Sequence, residues 1–200
     1  MTNQARLLVA TNNRGKLREY KVLLGSLPFE LVTLGDVGIE DDVEETGTTM
    51  EHNAVQKATA YASLSGLLTL ADDSGLEVDA LGGEPGVFSR RYAGEDVSDR
   101  ERNEYLLGKL SGVPWEKRGA RFRCVIAIVT PGGNVETCEG VCEGVIAFDL
   151  KGKEGFGYDP IFYIPELDRR MAEISLEEKN QISHRSRAAS KARQILSRLY

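Results

Sequence analysis

"RLLVATNNRGKLREYKVLL", residues 6–24, decides the fold class of this chain. Residues 6–10 (RLLVA) are a short apolar run of the kind that forms a buried strand. TNNRGK follows at 11–16, and the segment then continues as a helix. A strand that turns directly into a helix is the opening unit of an α/β fold. The turn has the outline of a phosphate-binding loop but lacks nearly all of its glycines. Thr11, Asn12 and Asn13 offer side-chain hydrogen bonds in their place. Gly15 leaves room for close approach, and Lys16 adds charge near a helix amino terminus, which itself favours anions. TNNRGK is thus open to three readings, a degraded P-loop, an ordinary strand-to-helix turn or a side-chain grip on an anion.

Further short apolar runs at 30–34 (ELVTL) and 67–71 (LLTLA) supply strands beside the first. From residue 120 the pattern changes to long strands joined at Pro131-Gly132-Gly133-Asn134, a hairpin signal. Strand–helix units followed by antiparallel strands give a mixed α/β sheet. Three helices announce themselves with a Ser or Thr three residues before Glu: Thr48 with Glu51, Ser98 with Glu101, and Ser175 with Glu178. The first of these repeats apolar residues at Met50, Ala54, Ala58, Tyr61 and Ala62, a core-facing stripe. Asn53 and Lys57 lie four apart on another face. The last helix is predicted over roughly 175–199 and carries Arg185, Arg187, Lys191, Arg193 and Arg198.

The 200 residues fit one domain. A net charge of −6 argues against a nucleic-acid binder, while leaving a local cluster of Lys and Arg free to hold phosphates. No apolar run approaches the roughly 20 residues of a membrane span, and the start lacks the pattern of a signal peptide. A cytoplasmic protein that engages neither nucleic acid nor membrane is the expectation. Cys124, Cys138 and Cys142 are odd in number and wrongly spaced for zinc, and so read as reduced thiols in strands.

Asp72-Asp73-Ser74-Gly75 follows directly on the strand at 67–71. Two adjacent carboxylates repel unless a cation or proton is present, so the stretch reads as a Mg²⁺ site or as a solvated turn. A second acidic piece, GIEDDVEETGTT (38–49), has more carboxylates than one helix terminus needs, and one of them is a candidate to complete a metal site begun by Asp73. Basic groups stand at Lys16, Lys57, Lys179, His184 and Arg185. GKEGFGYDPIF (152–162) sets three glycines around Phe156, Tyr158 and Asp159, which suits either a ligand-contacting loop or a turn with a buried aromatic anchor.

Together TNNRGK (11–16), EETG (44–47), NAVQKA (53–58), ADDSGLEVDALGGEPGVFSRRYAG (71–94), ARFRC (120–124), GFGYDPIF (155–162) and EEKNQISHR (177–185) resemble the inosine triphosphate pyrophosphatase family over nearly the whole chain. The resemblance implies an elongated mixed β-sheet in two lobes flanked by helices, one domain over 1–200 with an active-site cleft between the lobes, and a homodimer. It implies Mg²⁺-dependent hydrolysis of non-standard purine nucleoside triphosphates (ITP, dITP, XTP) to monophosphate and pyrophosphate. Carried over by position, Glu44 and Asp73 bind Mg²⁺, and Asp73 accepts the proton of the attacking water. Thr11, Asn12, Asn13, Arg14, Gly15, Lys16, Lys57, Ser74, Phe156, Gly157, Tyr158, Asp159, Lys179, His184 and Arg185 hold the nucleotide. Phe156 is the candidate for stacking on the base, and Arg185 and His184 for reading its 6-keto oxygen. Two residues depart from the family pattern, His52 for Glu and Glu143 for Pro. The competing readings are a Maf-type pyrophosphatase acting on pyrimidine or modified nucleotides, a non-catalytic nucleotide sensor and an RNA-binding module.

Overall fold

The apolar run at 6–10 forms β1 (Ala5–Val9), and TNNRGK leads from it into α1 (Arg14–Leu24). A computed structural model describes residues 4–199. After α1 come β2 (Phe29–Thr33), α2 (Met50–Ser65), β3 (Leu68–Val78), α3 (Asp99–Lys109), β4 (Gly119–Val129) and β5 (Val135–Ile146). The chain continues through β6 (Phe162–Ile164), β7 (Arg169–Arg170), α4 (Leu176–Ile182) and α5 (His184–Leu199). The sheet has the order β2-β1-β3-β4-β5-β6-β7. β1 pairs in parallel with β2 and β3, whereas β6 is antiparallel to both β5 and β7. This is the mixed sheet anticipated from the change of pattern at residue 120.

The chain divides into two compact units. The first holds the residues up to Asp73, Cys124–Gly140 and the chain from Arg185 onward. Its core gathers Leu7, Val9, Tyr20, Leu24, Leu70, Ile126 and Ile128 with the small face of α5, Ala188, Ala189 and Ala192. The second holds Ser74–Arg123 and Val141–His184, with a core of Leu76, Val78, Leu106, Phe122, Ile146, Phe162 and Met171. Among the described residues no helix is long and apolar enough to cross a membrane.

Three local expectations need correction. The aspartates of DDSG do not lie past the end of a strand or in a turn, because β3 runs through them to Val78. Near-continuous burial, unbroken from Thr69 to Asp73 and resumed at Leu76 and Val78, holds this stretch extended despite its turn-forming residues. The second helix begins one residue late: Thr49, not Thr48, is its N-cap and accepts from the His52 amide at 3.1 Å. Position N3 is then His52, so no capping box closes, and Glu51 instead accepts a hydrogen bond from Thr137. Ser98 and Ser175 do form the expected boxes with Glu101 and Glu178. The helix predicted over 175–199 is two helices, broken at Ser183, whose ψ of 157° is extended. The predicted stripe on α2 is buried throughout.

The cysteines are free thiols, with Cys124 and Cys142 buried and Cys138 half-buried. Of the two family departures, Glu143 lies in β5 and accepts from Arg121 at 3.3 Å, and His52 is exposed on α2. Next to Glu143, a Cβ on Gly144 would stand 2.5 Å from the Phe162 ring and 2.6 Å from the Tyr163 carbonyl. Gly144→Ala is accordingly expected to destabilise the fold by about 1–3 kcal/mol, the usual range for overpacking, as read by urea unfolding.

Candidate active site

In the first unit, TNNRGK is shaped by its own side chains. Asn13 is the N-cap of α1, and its Oδ1 accepts from the amides of Gly15 at 2.8 Å and Lys16 at 3.0 Å. Thr11 Oγ1 accepts from the Asn13 amide at 3.2 Å. These bonds leave Asn12 and Arg14 exposed and carry Lys16 inward. The Lys16 ammonium reaches Asp72 at 2.9 Å.

Asp72 is the electrostatic centre of this unit. Its carboxylate is fully buried and faces Lys16, the Arg185 Nε at 3.7 Å and the Cys124 thiol, which donates to it at 3.6 Å. Its backbone carbonyl accepts from Lys57 Nζ at 2.7 Å. Burial pushes the Asp72 carboxyl up, but Lys16, Arg185 and Lys57 outweigh burial and hold it at about 2. Arg185, itself 1% exposed, is also bound at 2.5 Å by Glu19, a buried carboxylate on α1. Burial opposes the Arg185 charge, yet Glu19 and Asp72 raise its pKa well above the ordinary value. A basic residue read as a base-contacting donor is thus held inside an ion cluster of the fold. Glu19 escaped the sequence reading because its partner is 166 residues away.

Asp73, one residue on, projects into a different environment. Asn53 Nδ2 donates to its Oδ2 at 2.9 Å, and the Asn53 Oδ1 accepts from the Gly47 amide at 2.8 Å. Burial raises the Asp73 pKa and Glu45 adds to the rise, against Lys57, Lys16 and the Asn53 hydrogen bond. The Lys57 ammonium bonds Glu45 directly. Burial works against its charge, but Glu45, Asp72 and Asp73 together raise its pKa. Glu44 is exposed, and it is the next residue in EETG, Glu45, that bears on Asp73. Among the described residues no group of three or more His, Cys, Asp or Glu side chains is placed to hold a metal ion.

In the second unit, Ser74 is half-buried in β3, and the GFGYD loop is pinned along its length. Tyr158 is buried and donates to the Ser89 carbonyl at 2.8 Å, so it is an anchor of the loop. Asp159 accepts from the Phe156 amide at 2.9 Å and pairs with Lys179 at 2.6 Å. The same Lys179 ammonium lies 4.7 Å from the centroid of the half-buried Phe156 ring. His184 stacks on Phe122 at 4.8 Å with 19° between the planes.

The model of the Ham1 family matches residues 7–195. The chain belongs to the Ham1 family. It is 53% identical to a dITP/XTP pyrophosphatase of Desulforamulus reducens over 98% of this chain and 97% of that one. It is 46% identical to the dITP/XTP pyrophosphatase of Bacillus subtilis, covering 94% and 96%. Among solved structures, a HAM1 protein from Coxiella burnetii superposes with a TM-score of 0.89 at 42% identity, over 97% of this chain and 99% of that one. The Staphylococcus aureus Ham1 protein gives 0.86 at 42% identity, covering 98% and 100%.

The Asp72 cluster gives this Ham1 protein a defined acid response. A carboxylate lowered from 3.8 to about 2 contributes about 2 kcal/mol of stability that is present above pH 4 and lost as pH falls through 2. Thermal unfolding of wild type and Asp72→Asn should therefore show a gap in Tm that is full from pH 7 down to about 4 and shrinks toward pH 2. A gap independent of pH would remove Asp72 from this role.

Proposed function

We propose that this protein hydrolyses ITP, dITP and XTP to the nucleoside monophosphate and pyrophosphate. The observation that carries the reading is the paired environment of the two aspartates. Asp72 is held ionised among cations, while Asp73 has its pKa raised and keeps its oxygen oriented by Asn53. Neighbouring titratable groups pushed in opposite directions are a signature of divided catalytic labour. Family membership and the names of the relatives support the same reaction.

In this mechanism Asp73 orients a water and accepts its proton as the water attacks the α-phosphorus, with pyrophosphate leaving. Lys16, bound to the Asp72 carboxylate, and Lys57, bound to the Asp72 carbonyl, neutralise the charge that gathers on the phosphoryl oxygens. Phe156 is the candidate for stacking on the base, its ring backed by the buried Lys179 ammonium that Asp159 holds.

The residues also fit a Mg²⁺ ion. Burial, and after it the Glu45 carboxylate, raise the Asp73 pKa, an imbalance that a cation beside the two carboxylates relieves. With two protein carboxylates rather than three, the remaining positions fall to water and phosphate oxygens, as Mg²⁺ prefers. When bound, the ion would polarise the phosphoryl group. The influence of Glu45 on Asp73 and the exposure of Glu44 support Glu45 as the partner of Asp73 in this set.

Pyrophosphate release with Mg²⁺ over ITP, dITP, XTP, GTP, ATP and dTTP should show turnover concentrated on the first three. Release from none of them, or a preference for dTTP, would overturn the reading in favour of a nucleotide sensor or a Maf-type enzyme. Asp73→Asn should lower kcat by about 10²-fold or more with a small change in KM. Glu45→Gln should raise the Mg²⁺ concentration needed for half-maximal activity at least several-fold, and Glu44→Gln should leave it near wild type. The opposite order would return the metal role to Glu44.

A further inference from the structure

We propose that Asp99 and Asn103 on α3 are positioning residues that grip the backbone of Gly157 from both sides and thereby set the Phe156–Asp159 loop for nucleotide binding. The proposal rests on the reading above in which that loop holds the nucleotide.

The geometry is specific. The Gly157 amide donates to Asp99 Oδ2 at 2.6 Å, and the Gly157 carbonyl accepts from Asn103 Nδ2 at 2.8 Å. Asp99 and Asn103 are four residues apart, so they share one face of α3. Both polar groups of a single loop residue are thus tied to one helix face.

Each gripping side chain is itself held. The other oxygen of Asp99 accepts from Arg102 Nη1 at 2.6 Å, and Arg102 Nη2 reaches the Val97 carbonyl at 3.1 Å. Asn103 is 1% exposed, and its Nδ2 also donates to the Asp99 carbonyl at 2.6 Å. Both neighbours of that nitrogen are carbonyl oxygens, which only accept, and this fixes the amide with its donor toward the loop. Ser98 and Glu101 close a capping box at the start of the helix, so the grip springs from a well-formed helix terminus.

The loop needs such a constraint. Gly157 has φ of +61°, a left-handed conformation that glycine adopts freely but does not choose uniquely. The Gly157 amide belongs to the peptide on the carboxyl side of Phe156, and the Phe156 amide itself is bound by Asp159. Phe156 is therefore fixed on both flanks, which sets where its ring stands relative to Lys179. No role of Asp99 or Asn103 in touching substrate is required. They act through the loop.

The test uses the full-length protein and the variants Asp99→Ala, Asp99→Asn, Asn103→Ala and Glu104→Ala. Glu104 pairs with Arg100 at 2.9 Å on the exposed face of the same helix and serves as the control for a merely weakened helix. Hydrogen exchange over residues 155–159 and steady-state kinetics with ITP are measured on each. Asp99→Ala and Asn103→Ala should speed exchange in the loop and raise KM about tenfold with kcat within about twofold, the pattern of lost uniform binding. Asp99→Asn keeps an acceptor for the Gly157 amide and should fall between, while Glu104→Ala should match wild type. If Asp99→Ala does not fold, Asn103→Ala carries the test alone. Unchanged exchange at 155–159 would overturn the grip itself. Faster exchange with unchanged KM and kcat would overturn the link to the nucleotide, placing the error in the reading of the loop and not in the geometry of α3.

Discussion

A carboxylate buried at Asp72 imposes the condition that the rest of the first unit satisfies. An unpaired charge at that depth costs several kcal/mol, so its neighbours must be cationic and well placed. They come from three separate parts of the chain: Lys16 from the turn after β1, Arg185 from the start of α5, and Lys57 from α2 by way of the Asp72 carbonyl. Glu19 completes the set by sharing Arg185. On the proposed reading, Lys16 and Lys57 are thereby ordered before any substrate arrives, and electrostatic groups ordered in advance need no reorganisation during reaction. An acidic protein can hold a triphosphate in this way, because local arrangement rather than net charge decides the field.

The strand geometry of β3 then separates two adjacent aspartates. Successive side chains of a strand point to opposite faces. Asp72 meets Lys16 and Arg185, whereas Asp73 meets Asn53 and lies under the influence of Glu45. A turn at DDSG would have let both carboxylates relax into solvent. The extension of β3 to Val78 is what makes their environments differ.

Much of this was legible in the sequence, and the parts that were not share a cause. β1, β2, the hairpin after residue 130, two of the capping boxes and the α2 stripe are local patterns, and local patterns are what apolar periodicity and turn chemistry report. Asp and Gly in DDSG are turn formers, so the strand seemed to end where tertiary burial in fact carries it on. Thr48 and Thr49 are equally good caps by composition, and only packing selected the second. The break at Ser183 has no proline or glycine to mark it. Glu19 with Arg185, and Asn103 with Gly157, are pairings across 166 and 54 residues that no local signal encodes. The pairing of Glu45 with Lys57 was hidden too, since sequence alone does not distinguish two adjacent glutamates in a loop.

On the proposed mechanism, the water oriented by Asp73 attacks the α-phosphorus. Hydrolysis of ITP in ¹⁸O-labelled water, followed by mass spectrometry of both products, tests this most directly. The label should appear in IMP and be absent from pyrophosphate. Label in pyrophosphate, or sequential release of labelled orthophosphate, would place the attack at another phosphorus and contradict the account.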